Sequence, residues 1–264
     1  MKAKPIILKL GGSVITYKDK PSTPNNEAIN QLAYEISKAN VMPLVIVHGG
    51  GSFGHSFAEK YGINEGFKES SQMIGFSKTH QAMAILNKMV IEALINHNIP
   101  AVEVQPSSFV VTKSGRIKTM DTRVIEKLLE TGFVPVLYGD AVLDSDKGFA
   151  ILSGDQLISS LATQLSAKRI VVGVDVDGLH TSDPKKDKLS AKLIQHVTLK
   201  ELKKMKLKIS EATVTDVTGG MLGKINELIP AVEAGINVFI VNALTQDNVY
   251  KALKGQKVVG TIIE

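Results

Sequence analysis

The chain has 264 residues, 44% of them hydrophobic, which is ample for one large α/β domain or two lobes. The absence of cysteine excludes disulfides, thiolate metal sites and thiol nucleophiles, and no apolar run suits a signal peptide or a membrane span, so we expect a cytoplasmic protein without a membrane partner. The net charge is +5, but the lysine-rich stretches 185–188 and 200–208 are interleaved with acidic or apolar residues and lack aromatic residues, which favours solvated helix faces over nucleic-acid binding.

Strand and helix patterns alternate along the chain. Apolar runs of strand length occur at residues 6–10, 43–47, 101–104, 134–138, 169–174, 237–241 and 257–263. Helical spacing and capping residues predict helices from residue 25 or 26, from 51 to about 62, over 72–96, from 121 to 132, from 153, and from 218 to 233. Hairpins are expected at 110–118 and 144–148, and a surface excursion or lid over the polar segment 179–216. The alternation predicts a mainly parallel sheet covered on both faces, with ligands at the carboxyl ends of its strands.

The first predicted strand carries a lysine. Lys9 lies within the apolar residues 6–10, the strand ends at Gly11 and Gly12, and Lys18 follows shortly after. Burying a lysine costs several kcal/mol of desolvation unless a counter-charge meets it. We therefore predict that this strand end opens into a polar cleft where Lys9 meets phosphate, and that the two glycines let backbone N–H groups approach the anion. The alternative is that Lys9 snorkels at a sheet edge.

Further glycine clusters stand at strand ends and predicted helix starts. They lie at residues 49–51, at 153–154, and at 219–220, which Lys224 follows. Several helix N-termini aimed at one cleft would hold negatively charged phosphate groups, and lysines would offset the repulsion between two such groups. Phosphoryl transfer needs alignment and charge stabilisation more than covalent chemistry, so cations and backbone donors suffice for it.

Two common nucleotide-binding motifs fit the chain less well. Residues 49–54 match G-x-G-x-x-G, but that fingerprint belongs to the first strand and needs an acid at the end of the next one, whereas Glu69 falls in a polar loop. Residues 219–224 are one residue short of a Walker A motif and do not follow an obvious strand. A dinucleotide-binding protein therefore stays a minor alternative.

Taken together, the motif blocks resemble those of the amino acid kinase superfamily over essentially the whole chain. They occur in the superfamily's order, at residues 9–13 (KLGGS), 48–51 (HGGG), 153–155 (SGD), 175–178 (DVDG) and 218–224 (TGGMLGK). Within the superfamily the chain is most similar to the isopentenyl phosphate kinase family. That narrower resemblance depends on Gly54 and His55 after the second glycine loop, on Lys18 after the first, and on residues 138–140 (YGD).

The resemblance implies an α/β fold, a three-layer αβα sandwich with a mainly parallel central sheet, in one domain over residues 1–264. It implies an acceptor-binding N-terminal lobe of residues 1–165, a nucleotide-binding C-terminal lobe of residues 166–264, and a homodimer. The implied reaction transfers the γ-phosphoryl group of ATP, which brings Mg²⁺, to isopentenyl phosphate. Its product would be isopentenyl diphosphate, made for isoprenoid synthesis in an alternative mevalonate route.

The resemblance also implies roles for individual residues. The ATP site would comprise Lys9, Leu10, Gly11, Gly12, Ser13, Gly51, Asp175, Gly220 and Lys224. The catalytic groups would be Lys9, Lys18, His55 and Lys224, with Lys18 stabilising the transferring group. His55 would bind the acceptor phosphate together with Gly50 and Gly154, and no residue is assigned as a metal ligand. From its charge and position we further expect Asp155 to orient the lysines.

The acceptor side of the site follows from simple chemistry. A phosphate monoester has its second pKa near 6, so its oxygen is mostly ionised at neutral pH and no general base is required. His55 can therefore serve as a hydrogen-bond donor; the alternative is a histidine bonded to backbone at a helix start. For the prenyl tail we expect an apolar pocket lined by Phe76, Met83, Leu86 and Ile151, with plain core packing as the alternative.

Other functions stay open at this stage. Kinases of fosfomycin, UMP, carbamate or acylated amino acids share the superfamily. Fosfomycin kinase is the hardest to separate, because its acceptor, a phosphonate anion, resembles the phosphate group of isopentenyl phosphate. A non-catalytic ligand-binding protein is the alternative from a different class. The joint presence of Lys9, Lys18 and Lys224 argues against it, because binding alone needs fewer charges.

Overall fold

The computed structural model describes residues 3–182, 191–204 and 219–264, which form an α/β fold around an eight-stranded sheet. The strands are β1 (Ile6–Leu10), β2 (Leu44–His48), β3 (Ala101–Glu103), β4 (Val110–Lys113), β5 (Arg116–Met120), β6 (Val134–Tyr138), β7 (Asp140–Asp144), β8 (Gly148–Leu152), β9 (Arg169–Val174), β10 (Leu179–His180), β11 (Leu193–Ile194), β12 (His196–Val197), β13 (Val238–Asn242) and β14 (Gly260–Ile263). The helices are α1 (Gly12–Ile15), α2 (Asn26–Ala39), α3 (Gly51–Lys60), α4 (Ser71–Asn96), α5 (Arg123–Thr131), α6 (Gly154–Gln164), α7 (Gly219–Glu233) and α8 (Asn248–Lys254).

The central sheet has the strand order β12-β14-β13-β9-β1-β2-β6-β3. Neighbouring strands pair in parallel except β13 and β14, which are antiparallel. The sequence prediction of a mainly parallel sheet is therefore confirmed. β1 and β9 lie side by side in the middle of the sheet, so the carboxyl end of β1 is enclosed by neighbouring strands on both sides.

Two hydrophobic clusters cover the two faces of this sheet. Ile6, Leu8 and Leu10 of β1 face α2, α4 and α8, whereas Ile7 faces the opposite cluster, which contains residues of α5, α6 and α7. This three-layer arrangement is the predicted αβα sandwich. Because side chains alternate along a strand, Lys9 lies on the same face as Ile7, which is the face that α6 and α7 cover. No helix in the described part of the chain combines the length and the hydropathy needed to cross a bilayer.

Local capping explains most of the predicted helix ends. The side chain of Asn25 accepts a hydrogen bond from the Ala28 N–H at 3.2 Å at the start of α2, and Gly132 ends α5 in the left-handed conformation with φ 94°. The predicted cap at Asp121 is off by one residue, because Thr122 is the N-cap of α5. Asp121 nevertheless accepts a hydrogen bond from the Arg123 N–H at 3.1 Å. Side-chain capping and the αL glycine thus mark these ends much as the sequence indicated.

The chain departs from the predicted order in two places. The segment 179–216 is not only a surface excursion, because β12 within it pairs in parallel with β14 at the edge of the central sheet and Leu202 is fully buried. Residues 183–190 and 205–216 of that segment lie outside the described residues. The helix α8 was not predicted, since its seven residues are too few for a clear helical periodicity. The two predicted hairpins are present as β4–β5 and β7–β8 in a separate four-stranded sheet.

Candidate functional site

The carboxyl ends of four central strands meet at one edge of the sheet. Backbone hydrogen bonds join them: the Gly11 N–H donates to the Gly173 oxygen at 2.9 Å, the Gly49 N–H to the Leu10 oxygen at 3.0 Å, and the Gly139 N–H to the His48 oxygen at 3.0 Å. These bonds place the residues that follow β1, β2, β6 and β9 next to one another. A ligand at this edge would contact loops from both halves of the chain, as expected for an α/β sheet.

The first two glycine loops touch closely. A Cβ atom added at Gly12 would lie 2.3 Å from the Gly51 nitrogen, and one added at Gly49 would lie 2.8 Å from the Gly12 nitrogen. Gly51 also has φ +48°, a conformation that favours glycine. Side chains at these positions would force the two loops apart, so the glycines keep two helix N-termini adjacent.

Backbone donors at these N-termini have no acceptor among the described residues. The N-caps of α1 and α3 are Gly11 and Gly50, and neither end has a side-chain cap. No described residue accepts a hydrogen bond from the N–H groups of three half-buried positions in the two loops, Ser13, Gly50 and Gly51. Such half-buried donors at adjoining helix starts suit anionic oxygens, because the helix dipoles add positive potential there.

A third helix begins beside the same edge. Ser153 caps α6 by accepting a hydrogen bond from the Gln156 N–H at 3.1 Å. A Cβ atom added at Gly154 would lie 3.4 Å from the His48 oxygen and 3.5 Å from Lys9 Cε. The start of α6 is therefore in contact with the lysine of β1 and with the end of β2, as predicted from the glycine clusters.

Lys9, Asp155 and Lys224 form an ion-paired group on the α6 face of the sheet. The Asp155 carboxylate pairs with the Lys9 ammonium, and its other oxygen lies 3.4 Å from Lys224 Nζ. Only 4% of the Lys9 side chain and 13% of the Asp155 side chain are exposed, whereas Lys224 is 31% exposed. The counter-charge that the sequence required for a buried lysine is therefore Asp155. Asp155 pairs with both lysines, and its role in orienting them stays a prediction.

Burial and the neighbouring charges act in opposite directions on the pKa values of Lys9 and Asp155. Burial lowers the pKa of Lys9 to about 8, against the attraction of Asp155, and the nearby Lys224 ammonium lowers it further. Burial alone would raise the pKa of Asp155, but Lys9 and Lys224 hold it below its ordinary value. Two cations and one anion leave a net positive charge at the edge of the cleft, which suits a polyanionic ligand.

Lys18, the cation that follows the first glycine loop, lies beside the carboxyl end of β9. Lys18 is 66% exposed, and its Nζ atom lies 3.5 Å from Asp175 Oδ2, just beyond β9. Residues 17–23 form a loop that is closed at its base by an antiparallel β-bridge between Thr16 and Pro24. Lys18 is thus held near the cleft by a surface loop, and its long side chain is free to reach toward a bound phosphate.

The residues predicted to bind the acceptor lie in and below α3. His55 is exposed in the second turn of α3, and no described residue forms a hydrogen bond with its ring, so the backbone-bonded alternative does not apply there. Met83 is buried directly under the loop, since Cβ atoms added at Gly50 and Gly54 would lie 3.0 and 2.8 Å from its sulfur. Met83 therefore supports the acceptor loop, and its contact with a prenyl tail stays a prediction.

The predicted tail residues divide between two environments. Leu86 is fully buried in the main core, where plain packing would place it. Phe76 and Ile151 are partly buried in a small separate cluster, and the Phe76 ring contacts that of Phe149 with centroids 5.6 Å apart. This separate cluster, close to α3, is the part of the predicted tail pocket that the geometry leaves accessible.

The remaining predicted ATP-site residues are also placed by the fold. Leu10 is buried and offers its carbonyl oxygen to the Gly49 N–H, so it links the two loops through its backbone. Gly220 lies in the first turn of α7, the helix that carries Lys224. Gly154 and Gly51 lie in the first turns of α6 and α3. The residues predicted for the nucleotide and acceptor phosphates therefore lie on elements at this sheet edge, or, for Gly220, on α7, whose Lys224 pairs with Asp155 there.

The sequence patterns missed a hydroxyl bridge between the first two loops. Thr16 is buried; its Oγ1 donates to the Gly12 oxygen at 2.7 Å and accepts from the Ser52 N–H at 3.0 Å. The Ser52 oxygen in turn accepts from the Ser22 N–H at 3.2 Å, which ties the loop of Lys18 to α3. Thr16 and Ser52 are 36 positions apart in the sequence, which leaves no local signal from which this contact could be recognised.

Comparison with known proteins identifies the family. The sequence profile of the amino acid kinase family matches residues 4–242. The isopentenyl phosphate kinase of Methanothermobacter thermautotrophicus is 42% identical over 266 residues, covering 98% of both chains, and that of Methanocaldococcus jannaschii is 37% identical over 268 residues with the same coverage. A crystal structure of isopentenyl phosphate kinase superposes with a TM-score of 0.86 at 40% identity, covering 98% of this chain and 100% of the other.

More distant relatives share the fold. A UMP kinase structure from Ureaplasma parvum superposes with a TM-score of 0.67 over 100% of both chains at 20% identity. Acetylglutamate kinase of Streptomyces coelicolor is 24% identical over 286 residues, covering 98% of this chain and 86% of that protein. The identity and full-length coverage place the chain with the first group: it belongs to the amino acid kinase family and, within it, to the isopentenyl phosphate kinases.

Proposed function

We propose that this protein transfers the γ-phosphoryl group of ATP to isopentenyl phosphate and forms isopentenyl diphosphate for isoprenoid synthesis by an alternative mevalonate route. The observation that carries the proposal is the convergence of three helix N-termini with the group formed by Lys9, Asp155 and Lys224 at one sheet edge. Two phosphate-bearing substrates can meet there because backbone donors and cations lower their mutual repulsion. The full-length similarity to isopentenyl phosphate kinases supports the acceptor.

On the ATP side, the start of α1 and the paired lysines supply the contacts. The N–H groups of Gly12 and Ser13 would meet phosphate oxygens, and Lys9 and Lys224 would neutralise the charge of the terminal phosphates. Asp155 fixes the positions of both ammonium groups before the nucleotide arrives, so little reorganisation is required during transfer. Lys18 would leave Asp175 for the transferring phosphoryl group, where negative charge is redistributed in the transition state.

On the acceptor side, the start of α3 supplies donors without a base. Gly50 and Gly154 would offer backbone N–H groups to the acceptor phosphate, and the exposed His55 would donate from its ring. The acceptor oxygen is already ionised at neutral pH, so alignment with the γ-phosphate is the main requirement. The small cluster of Phe76 and Ile151 would contact the prenyl tail.

Magnesium would enter the site bound to ATP. The carboxylates that border the cleft are engaged with lysines, Asp155 with Lys9 and Lys224, and Asp175 with Lys18. Mg²⁺ in phosphoryl-transfer sites commonly takes its ligands from phosphate oxygens, water and one or two carboxylates. We therefore assign the metal's ligands mainly to ATP and water, and no residue of this chain is proposed as a dedicated ligand.

The sheet also suggests how the two substrates divide between lobes. β2, β3 and β6, with α3, come from residues 1–165 and would border the acceptor side, whereas β9, β13, β14 and α7 come from residues 166–264 and would border the nucleotide side. β1 lies between β9 and β2, so its Lys9 would reach ATP from the boundary between the two sides. We propose that these are the acceptor and nucleotide lobes of a cytoplasmic homodimer. The helix α4 contacts the edge strand β3 and exposes the apolar side chains of Ile74, Ile85 and Ile95 along its length. These exposed apolar residues support self-association, which light scattering would measure.

A steady-state assay of ADP release tests the proposed acceptor. Isopentenyl phosphate, UMP and fosfomycin are compared under identical Mg-ATP concentrations, and we expect kcat/KM for isopentenyl phosphate to exceed the others by about 100-fold or more, because a site built to hold one acceptor leaves its donors unpaired with another. A preference for UMP or fosfomycin would retain the kinase chemistry and reject the acceptor. If no ADP is released with any of the three acceptors, a ligand-binding protein is favoured.

The activity is expected to rise and fall with pH. Lys9 carries its positive charge below its pKa of about 8 and loses it as the pH rises, so kcat/KM for ATP should decline above about pH 8. Below about pH 6 the acceptor phosphate becomes protonated, which lowers kcat/KM for isopentenyl phosphate. In a Lys9→Arg variant the guanidinium stays charged, so any residual activity should lack the alkaline decline. An unchanged alkaline decline in that variant would contradict the assignment to Lys9.

Shrinking Phe76 should change the preferred tail length. In Phe76→Ala the space beside Phe149 and Ile151 enlarges, and the ratio of kcat/KM for a longer prenyl phosphate to that for isopentenyl phosphate should rise about 10-fold, within the range that one to two methylene groups contribute in an apolar pocket. Ile85→Ala, on the exposed face of the same helix, is the matched control and should leave the ratio unchanged. A ratio that stays at the parent value in Phe76→Ala would place the tail elsewhere.

A further inference from the structure

A buried histidine under the second glycine loop has no role in the reaction described so far. His48 is the last residue of β2, it is completely buried, and its ring stacks on that of Tyr138 with centroids 5.6 Å apart. Its Nδ1 atom lies 3.1 Å from the carbonyl oxygen of Gly49, and its Nε2 atom lies 3.2 Å from Oδ1 of Asn87. Both ring nitrogens therefore have a defined polar neighbour.

These two contacts determine which nitrogen carries the proton. A carbonyl oxygen only accepts hydrogen bonds, so Nδ1 must be the protonated nitrogen that donates to Gly49. Burial lowers the pKa of His48 to about 4, although the hydrogen bond to Gly49 and the charge of Glu103 act in the opposite direction. The ring is accordingly neutral at pH 7, and Nε2 holds a lone pair that needs a donor.

Asn87 supplies that donor once its amide is oriented correctly. The side chain is fully buried, and with Oδ1 toward His48 its Nδ2 atom has no partner among the described residues. Rotation of the amide by 180° exchanges its oxygen and nitrogen without changing its shape. Nδ2 then donates to Nε2 of His48, and a contact between two acceptors becomes a hydrogen bond. Asn87 thus holds His48 in the Nδ1–H tautomer.

The tautomer fixes the peptide that joins Gly49 and Gly50. The Gly49 N–H already donates to the Leu10 oxygen at 3.0 Å, and its carbonyl oxygen accepts from His48, so both polar groups of Gly49 are held. In a planar trans peptide the N–H of the next residue points away from the carbonyl oxygen. The Gly50 N–H is therefore directed away from His48, at the start of α3, where no described residue accepts it.

We propose that His48 is a positioning residue that, through its Nδ1–H and with Asn87 as its support, presents the Gly50 N–H to the acceptor phosphate. Glycine residues have no side chain to hold their peptides, so an oriented donor in a glycine loop needs an external constraint. An oriented donor requires no reorganisation when the anion binds, which makes its hydrogen bond more effective. The identity of the anion rests on the proposed function, whereas the tautomer and the peptide orientation do not.

Two substitutions separate this role from simple packing. In His48→Asn the side-chain amide nitrogen reaches the position of Nδ1 and can still donate to the Gly49 oxygen, whereas in His48→Gln it reaches the position of Nε2. Calorimetric titration with isopentenyl phosphate should give a dissociation constant within about 3-fold of the parent for His48→Asn and about 10- to 100-fold weaker for His48→Gln, the range for one hydrogen bond to a charged group. The KM for ATP should stay near the parent value in both, and thermal denaturation compares their folding.

A spectroscopic measurement on the parent protein tests the tautomer directly. A long-range ¹H–¹⁵N spectrum at pH 7 should show a protonated Nδ1 and an unprotonated Nε2 for His48, and His48→Asn identifies the signal by its absence. A protonated Nε2, or equal acceptor affinities of the two variants, would overturn the inference. If the parent protein binds no isopentenyl phosphate, the proposed function fails, and the ring spectrum still decides the tautomer and with it the inference.

Discussion

Replacing Lys18 by alanine is expected to lower kcat by about 10³-fold or more and to change the dissociation constant of ATP by about 3-fold or less, as for other cations that act mainly in a phosphoryl-transfer transition state. Lys18 is 66% exposed, and its ion pair with Asp175 at 3.5 Å lies on the surface. Its removal therefore leaves the core and the ion pair of Lys9 intact. Steady-state kinetics and calorimetric titration with Mg-ATP separate the two effects.

Lys20 offers a matched control for Lys18. It lies in the same loop and carries the same charge, but its ammonium group lies 5.5 Å from the ring centre of Tyr17. We assign it no contact with the phosphoryl group that is transferred. Lys20→Ala should keep kcat within about 3-fold of the parent, because scattered surface charges contribute little to catalysis or stability. A Lys18→Ala variant that binds ATP and turns over at the parent rate would remove the transition-state role of Lys18.

Replacing Asp155 by asparagine should damage both stability and catalysis. The change keeps the size of the side chain but leaves the buried ammonium of Lys9 without its counter-charge, which in comparable buried pairs costs about 3–5 kcal/mol of unfolding free energy. Without Asp155 the pKa of Lys9 should fall further, because the Asp155 carboxylate is the group that raises it against the effect of burial. We expect kcat/KM for ATP to fall by about 100-fold or more, as when a preorganised charge is removed from an active site.

A double substitution distinguishes the two effects of Asp155. The double variant Lys9→Met, Asp155→Leu lacks both buried charges. Replacing both partners of a buried ion pair by apolar side chains of similar volume often restores the protein stability that is lost when only one partner is removed. The melting temperature should return most of the way to that of the parent, while phosphoryl transfer should fall below that of Asp155→Asn because the Lys9 ammonium is absent. A fully active Asp155→Asn protein with the parent melting temperature would show that the lysines are held by other contacts.

Local patterns were sufficient for most of the fold and for the phosphate-binding loops. The apolar runs of β1, β2, β6 and β9 predicted their positions to within a residue, because buried parallel strands are continuous hydrophobic segments. The glycines at residues 49–51 and the isolated charge of Lys9 stood out for the same reason: each is costly in a strand or helix unless a ligand or a close contact requires it. The sequence therefore located the candidate site before its geometry was known.

Contacts between distant residues were beyond local patterns. The sequence led to the expectation that Asp155 orients the lysines, but Asp155 lies 69 positions before Lys224, and the sharing of its carboxylate between Lys9 and Lys224 depends on which sheet face α6 and α7 cover. The contact between His48 and Asn87 spans 39 positions and joins a strand end to the middle of α4. The edge strand β12 pairs with β14 in a stretch of two residues, too short for any periodicity. Such features follow from the packing of elements and not from the sequence of any one of them.

The most direct test of the account is the identity of the product. The protein is mixed with Mg-ATP and isopentenyl phosphate, with UMP and fosfomycin in parallel samples, and the reaction is followed by phosphorus NMR. We expect ADP and a new pair of diphosphate signals to appear together in the isopentenyl phosphate sample, at equal rates. ADP without the diphosphate pair, or no change while UMP or fosfomycin is phosphorylated, would contradict the proposed function.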